Sequence, residues 1–450
     1  MTKTILPKHF LRYGIHGDQR YFSELRDTYE GVAINGNMLA HTPAALARFV
    51  GHRTPDKPFL VDPLTHGFQH DPKCLMAKPR KGEKKSSGEL KQSVGRMSAL
   101  FGELVTGKAG RQALLPKDFQ DVEKRRDFCK RVIEFQVHTA ERAAEDGDYV
   151  KYLKYAGIDA MKPTVVIAPY FYMISNTVDD WLPINLQLVD ESRSCASQTP
   201  VYAQLVISQD VLLREHRIQQ LGNAYGSSPC DGVCIWVDDL DEHMADEDIL
   251  LGLVRLIRML SASKKPVFNM YGGYFSTLLT AFGSLSGLCH GLEYGESRPV
   301  VPVGGGLPIA RYYYPPLHRR LRFSDAYQLM ESQGYTTDVS KFHANVCNCE
   351  VCRSVIAGDM RNIQRFGEAK PATFQRMGQT VTMNYPLPET RDLCLRHYLH
   401  CKRYEFSALE TTKRELAFAQ LADACSQYEG VLSFNDMAFA KTWITALETA

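Results

Sequence analysis

The sequence predicts an α/β chain closed into a (β/α)8 TIM barrel, followed by a C-terminal helical subdomain rich in cysteine and histidine. Three observations carry this. From residue 160 onward, near-continuous apolar runs of strand length alternate with helical stretches, the pattern of a parallel sheet buried on both faces. Two strand-like runs precede residue 65, and another near 309–314 brings the count close to eight. After 340 the alternation stops, and three cysteines fall within six residues, Cys347-Asn348-Cys349-Glu350-Val351-Cys352. The competing arrangement is an open doubly wound sheet, but no nucleotide-type GxGxxG follows the first strand.

Taken in order, residues 1–30 are polar and aromatic with no strong period, and Gly31–Gly36 reads as a short buried strand. A helix is expected over Thr42–Phe49, with Thr42 as cap and Pro43 at its first position. Pro58–Asp62 is a second apolar run, ending on a carboxylate and opening into Pro63-Leu64-Thr65-His66-Gly67-Phe68-Gln69. Residues 71–95 form a basic loop, where Lys73, Lys78, Arg80, Lys81, Lys84, Lys85 and Lys91 are interspersed with Pro, Gly and Ser. It is either a solvated surface loop or a flap that contacts phosphates. Residues 117–147 are helical and charged. Strands are then expected at 164–171, 200–208, 231–239, 265–273 and 288–295, with helices at 209–222, 244–262 and 274–286 between them. Two helices, at about 388–406 and 408–428, follow the cysteines.

At 450 residues the chain exceeds one small core, and the reading divides it into a barrel over 1–340 and a second region over 341–450. Apolar content of 44% and charged content of 23% are ordinary for a globular protein. No apolar run approaches the ~20 residues of a membrane span. The N-terminus lacks the apolar core of a signal peptide, and twelve cysteines without an export signal lead us to expect reduced thiols in the cytoplasm. A net charge of +2 makes any nucleic-acid surface a local patch and not a global field.

The C-x-C-x-x-C spacing lets one chain reversal aim three thiols at a single point. Zinc takes four ligands tetrahedrally, so three thiolates leave one position to fill. Four side chains compete for it: Cys394, His397, His400 and Cys401. Positions 394, 397 and 401 share one helical face, and His397 is favoured. A site closed by Cys347, Cys349, Cys352 and His397 would be structural, because protein fills all four positions, and would make this a zinc-binding helical subdomain.

In a (β/α)8 barrel the chemistry sits at the C-terminal ends of the strands. The polar residues expected there are Asp62 with His66 and Gln69, then Tyr170, Gln204, Asp238 and Asp239, Asn269 and Tyr271, and Glu293 with Glu296 and Arg298. Converging carboxylates suit acid–base or nucleophilic work. Asp62 before Pro63 can also cap a turn, Asp238 can solvate a loop, and Glu293, Glu296 and Arg298 can form an ordinary ion-pair cluster. Gly304-Gly305-Gly306 is a plain loop or a place where backbone amides approach a ligand.

These pieces resemble the tRNA-guanine transglycosylases. Asp62-Pro-Leu-Thr-His-Gly-Phe-Gln69 is similar to the family's D-S-G-G-F-Q segment, and Val201-Tyr-Ala-Gln204 to its V-Q-G strand. The strand from Gly232 to Asp238 stands where the family has G-x-x-I-G-G-L-x-V-G-E. Pro266–Gly273 resembles P-x-Y-L-M-G-V-G, and Gly287–Arg298 occupies the place of G-x-D-x-F-D-C-V-x-P-T-R. The late cysteines and histidine complete a likeness that runs over roughly 30–405. Three departures mark a distant branch. Counting back from Arg298 puts Leu292 at the nucleophilic aspartate, with Glu293 one residue on; Leu64-Thr65-His66 replaces a glycine pair; Trp236-Val237-Asp238 replaces G-G-L.

The resemblance implies replacement of guanine in tRNA or DNA by a 7-deazaguanine through a covalent carboxylate intermediate. The DNA-modifying branch is one candidate. Glu293 is the expected nucleophile, with Glu296 as its substitute, and Asp62 the acid/base or base-anchoring group. His66, Gln69, Gln204, Asp238 and Arg298 would contact substrate, with Tyr170, Trp236 and Tyr271 forming an aromatic pocket for the base. Zinc would be structural, and the family's habit of pairing through the zinc region implies a homodimer. Two other readings stand beside it: a barrel that has lost transfer chemistry and serves as a nucleic-acid-binding subunit, and an N-glycosidase that removes a base and inserts none.

Overall fold

The computed structural model describes residues 6–14, 16–77, 88–144, 155, 162–196, 198–293, 295–301, 310–376, 379–432 and 437–449. The chain forms two compact units, one of Met1–Gly291, Gly295–Val303 and Thr449–Ala450, the other of Leu292–Tyr294 and Gly304–Glu448. The division by sequence at 340 follows the end of the alternation. The compact units instead assign 304–340 to the unit that carries the cysteines.

The first unit is a closed barrel of eight parallel strands. They are β1 (His9–Tyr13), β2 (Gly31–Asn35), β3 (Phe59–Asp62), β4 (Val165–Ile167), β5 (Val201–Ile207), β6 (Gly232–Val237), β7 (Val267–Asn269) and β8 (Gly287–Gly291). Every strand residue is buried apart from Asn35, which is half-buried. This is why the strands read as apolar runs without alternation. β1 closes the barrel by pairing with both β2 and β8. That strand lies in the segment read as having no period. The apolar run near 309–314 is not the eighth barrel strand: Tyr312–Tyr314 pairs antiparallel with Arg319–Leu321 in the second unit.

Helices cover the strands. Glu247–Ala262 shows how: Leu250, Leu253, Val254, Ile257 and Leu260 recur at three- and four-residue spacing and are all buried. Each such side chain contributes about 1.5–3 kcal/mol on burial. The helix expected from Thr42 runs Pro43–Arg48, with the proline at its start. The charged stretch at 117–147 forms Val122–Ala144. No described helix is long and apolar enough to cross a membrane. Of the basic loop, Lys73 and Lys91 are described; Lys78, Arg80, Lys81, Lys84 and Lys85 lie outside the described residues, as does Gly304-Gly305-Gly306.

Among its described residues the second unit has two hairpins. One is the β9–β10 pair, Tyr312–Tyr314 with Arg319–Leu321; the other is β11–β12, Ala369–Arg376 with Gln379–Pro386. Its longest helix, Pro388–Thr411, buries Cys394, His397, His400 and Cys401. Arg414–Gln427 follows it.

Candidate active site and metal centre

At the end of β3, Asp62 is fully buried. Its Oδ1 accepts from the Tyr170 hydroxyl at 2.6 Å and from the Leu64 amide at 3.2 Å. Leu64 holds a left-handed backbone at φ +53°, an uncommon conformation for a leucine, and so delivers that amide. Gly36 packs against the same turn, where a Cβ would stand 2.8 Å from the Asp62 carbonyl oxygen. Asp62 Oδ2 lies 3.5 Å from Nη1 of Arg12. Arg12 comes from β1, is 5% exposed, and also donates to Asn35 Oδ1 at 2.9 Å and to the Met270 carbonyl at 3.2 Å. Its guanidinium sits 4.2 Å from the Tyr271 ring centre. Burial works against this charge, but Tyr271, Cys289, Asp62 and Tyr170 outweigh it and hold the Arg12 pKa above its ordinary value.

An aromatic belt surrounds the pair. His66 stacks on Tyr170 at 5.3 Å and meets Trp236 edge-on at 5.0 Å; Trp236 lies 4.9 Å from Tyr271. Burial, then the Asp62 charge, pushes the Tyr170 phenol well up, so it stays a donor. Burial, then the charges of His70 and Arg298, drives His66 well down, so it is a neutral imidazole. Arg298 donates to the Tyr271 hydroxyl at 2.8 Å, and its carbonyl accepts from the Trp236 indole at 3.0 Å.

Two expected base readers are engaged with protein. The Gln69 amide donates to the Tyr172 carbonyl and accepts from the Tyr172 amide, both at 2.8 Å. Asp238 accepts from the Tyr172 hydroxyl at 2.8 Å and from the Val300 amide at 2.7 Å. Gln204 differs. It is 1% exposed, and among the described residues neither its amide oxygen nor its nitrogen has a hydrogen-bond partner. It stands opposite Cys234 in the β5–β6 register. Cys234 lies within the electrostatic reach of Asp62, Cys289 and Arg12, on three other strands, so this position faces the barrel axis.

Glu296 has a buried neighbour, Glu242, outside the expected set of site residues. Glu242 is 4% exposed and accepts from Ser276 Oγ at 2.5 Å and from the Ser276 amide at 3.3 Å. Asn269 donates to the same Ser276 oxygen at 2.8 Å. Burial first, with a smaller push from Glu296, lifts the Glu242 carboxyl to about 7 against the pull of the Ser276 bond. Both carboxyl groups lie over Gly273: a Cβ there would be 2.9 Å from Glu242 Oε2 and 3.7 Å from Glu296 Cδ. A signal existed, since counting the family's G-x-x-I-G-G-L-x-V-G-E from Gly232 puts its last glutamate at Glu242. Arg12 carried none, because a charged residue inside so short a run hides the strand.

Glu293 makes its contacts within the second unit. Arg391 Nε holds its carboxylate, and both guanidinium ends of Arg320 donate to the backbone carbonyls of Glu293 and Leu292.

In that unit the four expected metal ligands come together. One ligand atom from each of Cys347, Cys349, Cys352 and His397 lies within 4.8 Å of all the others, and all four residues are buried. His397 Nδ1 faces the sulfurs of Cys349, Cys352 and Cys347 at 3.3, 3.4 and 3.8 Å. Metal–ligand bonds of about 2.0–2.3 Å in a tetrahedron place ligand atoms roughly 3.5–3.8 Å apart, so this Cys3His cluster can hold a metal ion. The other His397 nitrogen contacts the Tyr313 carbonyl at 2.7 Å, and Tyr312 stacks on the ring at 4.3 Å. Such outer contacts fix a ligating histidine. Of its competitors, Cys394 bonds the Phe366 carbonyl at 3.5 Å and His400 lies 4.0 Å from Glu350. Cys401 approaches Cys347 at 3.8 Å and His397 Nδ1 at 3.6 Å, making it a fifth donor at the edge.

Compared with protein families and with curated proteins, the sequence matches no family model and no curated protein.

Proposed function

We propose that this chain is a base-exchange transglycosylase, a pentosyltransferase that replaces guanine in tRNA or DNA with a 7-deazaguanine. One observation carries the reading: the Gln204 amide, without a hydrogen-bond partner among the described residues, stands in register with Cys234, a position within electrostatic reach of Asp62 and Arg12. A buried amide without a partner is a rare and costly feature. Its oxygen and NH2 complement the N1–H donor and O6 acceptor of a guanine. The 7-deaza analogue presents the same edge, so one amide serves both the leaving and the entering base.

In the double displacement, a carboxylate attacks C1′ as the C1′–N9 bond breaks and guanine leaves with a proton. The incoming base then gives up its N9 proton, attacks C1′ and releases the carboxylate. With Glu293 held by Arg391, Asp62 is the carboxylate that this reading casts as nucleophile, beside the fixed positive charge of Arg12. Glu242, with its carboxyl lifted to about 7, and Glu296 are cast as the proton-holding pair. Tyr170, Trp236 and Tyr271 would flank the extruded base, with His66 and Arg298 completing the wall. The Cys3His cluster is read as structural zinc, because protein fills all four positions.

A second reading is a nucleic-acid-binding subunit without transfer chemistry. It is favoured by the engagement of Glu293 with Arg391 and by the full burial of Trp236 among the barrel rings. The test is exchange of labelled guanine into tRNA and into duplex DNA in parallel, on protein of measured zinc content. Incorporation into either, lost in Asp62→Asn and Gln204→Leu, is the expected result. Binding without incorporation would leave the subunit reading, and base release without incorporation would single out an N-glycosidase.

A further inference from the structure

A small, partly open cleft in the second unit is lined by three arginines, Arg311, Arg320 and Arg391, against one carboxylate, Glu293. The arginines are not equivalent. Arg391 is half-buried and holds the Glu293 carboxylate. Arg320 lies flat over the Tyr398 ring, 3.5 Å from its centre, with its two terminal nitrogens on the carbonyls of Leu292 and Glu293. Its Nε is buried and has no acceptor among the described residues. Arg311 is exposed, and among the described residues its side chain makes no ion pair or hydrogen bond.

The two backbone carbonyls and the carboxylate that accept from Arg320 and Arg391 all come from one short stretch of chain, Leu292-Glu293. The arrangement is an oxyanion site filled from within. Planar guanidinium groups match carboxylate and phosphate oxygens in pairs, and a stacked arginine is already oriented and partly desolvated. One carboxylate leaves two positive charges uncompensated, and a singly charged phosphodiester entering beside Arg311 would still not exhaust them.

We propose that this cleft seats a backbone phosphate of the nucleic-acid strand, with Glu293 as its internal counter-ion and not as a nucleophile. The proposal rests on the nucleic-acid reading above. It makes Glu293 a competitor of the ligand: the phosphate engages Arg311 and the free Arg320 Nε, and draws Arg391 from Glu293.

The test is binding of a short labelled single-stranded oligonucleotide to the full chain across a salt series, for wild type, Arg311→Ala and Glu293→Gln. Thermal melts verify the fold of each. Arg311→Ala removes an exposed side chain and should weaken binding about tenfold, while lowering the slope of log K against log salt by about 0.7. Glu293→Gln should tighten binding several-fold, which a nucleophile or a merely structural residue would not do. Binding that neither substitution changes would overturn the cleft and leave the nucleic-acid reading standing. Wild type that ignores the oligonucleotide but is stabilised by inorganic phosphate in an Arg311-dependent way would overturn the strand assignment and count against that reading.

Discussion

The Tyr170 hydroxyl donates to Asp62 at 2.6 Å from a different strand end, and the Leu64 amide is the only other hydrogen-bond donor to the same oxygen among the described residues. A phenol held far above its ordinary pKa cannot compete for the negative charge, so the bond keeps its direction over the working pH range. Tyr170→Phe removes one charge-assisted bond of roughly 1.5–3 kcal/mol without changing ring packing. The expected outcome is a folded protein whose exchange rate falls about 10- to 100-fold. Full activity in the variant would remove Asp62 from the chemistry.

Glu242 makes stability depend on pH. Its carboxyl sits near 7 in the fold against an ordinary 4.5, chiefly through burial. The folded state therefore binds the proton more tightly than the unfolded chain. The contribution is fully present below about pH 4.5, declines as pH rises, and is lost above about pH 7. Its order of magnitude is about 3 kcal/mol. Glu242→Gln should flatten the fall in stability between pH 5 and 8, measured by denaturant titration at several pH values. An unchanged slope would mean that Glu242 is not the group titrating there.

The unevenness of what the sequence disclosed has a physical basis. The cysteine cluster was legible because its geometry is local: three ligands lie within six residues, and the fourth sits on a helix whose face is fixed by period. The barrel was legible wherever both strand faces are apolar. β1 was not, because Arg12 sits in the middle of it, and an arginine inside a short run reads as surface. Only the folded barrel supplies the Asp62, Asn35 and Met270 oxygens that make its burial tolerable. Tyr312–Tyr314 erred in the opposite direction, since an apolar triplet says nothing of its partner, and Arg319–Leu321 pairs with it antiparallel. Glu242 depends on Ser276, 34 residues away, a contact that no spacing rule reveals.

Removal of the metal should affect the second unit selectively. Four buried donors converge there, and unliganded thiolates and an imidazole would lose what orders them. Chelation, or Cys349→Ser, should release about one metal ion per chain and lower the melting temperature by roughly 10 °C or more. Cys401→Ser should retain the metal, because four donors remain without it. Metal retained in His397→Ala but lost in Cys401→Ser would reverse the assignment of the fourth ligand.

Gln204 separates stability from function most sharply. Its amide is buried, and neither polar atom has a hydrogen-bond partner among the described residues; a buried amide left so costs about 1–3 kcal/mol. A residue kept for packing alone would be better as leucine, which has similar bulk and no polar atoms. Gln204→Leu should therefore raise the free energy of unfolding by about 1 kcal/mol or more while abolishing base exchange. Equilibrium denaturation and the labelled-guanine assay on the same preparation read both effects. A variant that loses stability would show that the amide is satisfied within the fold, and the argument for a base-reading group at this position would fail with it.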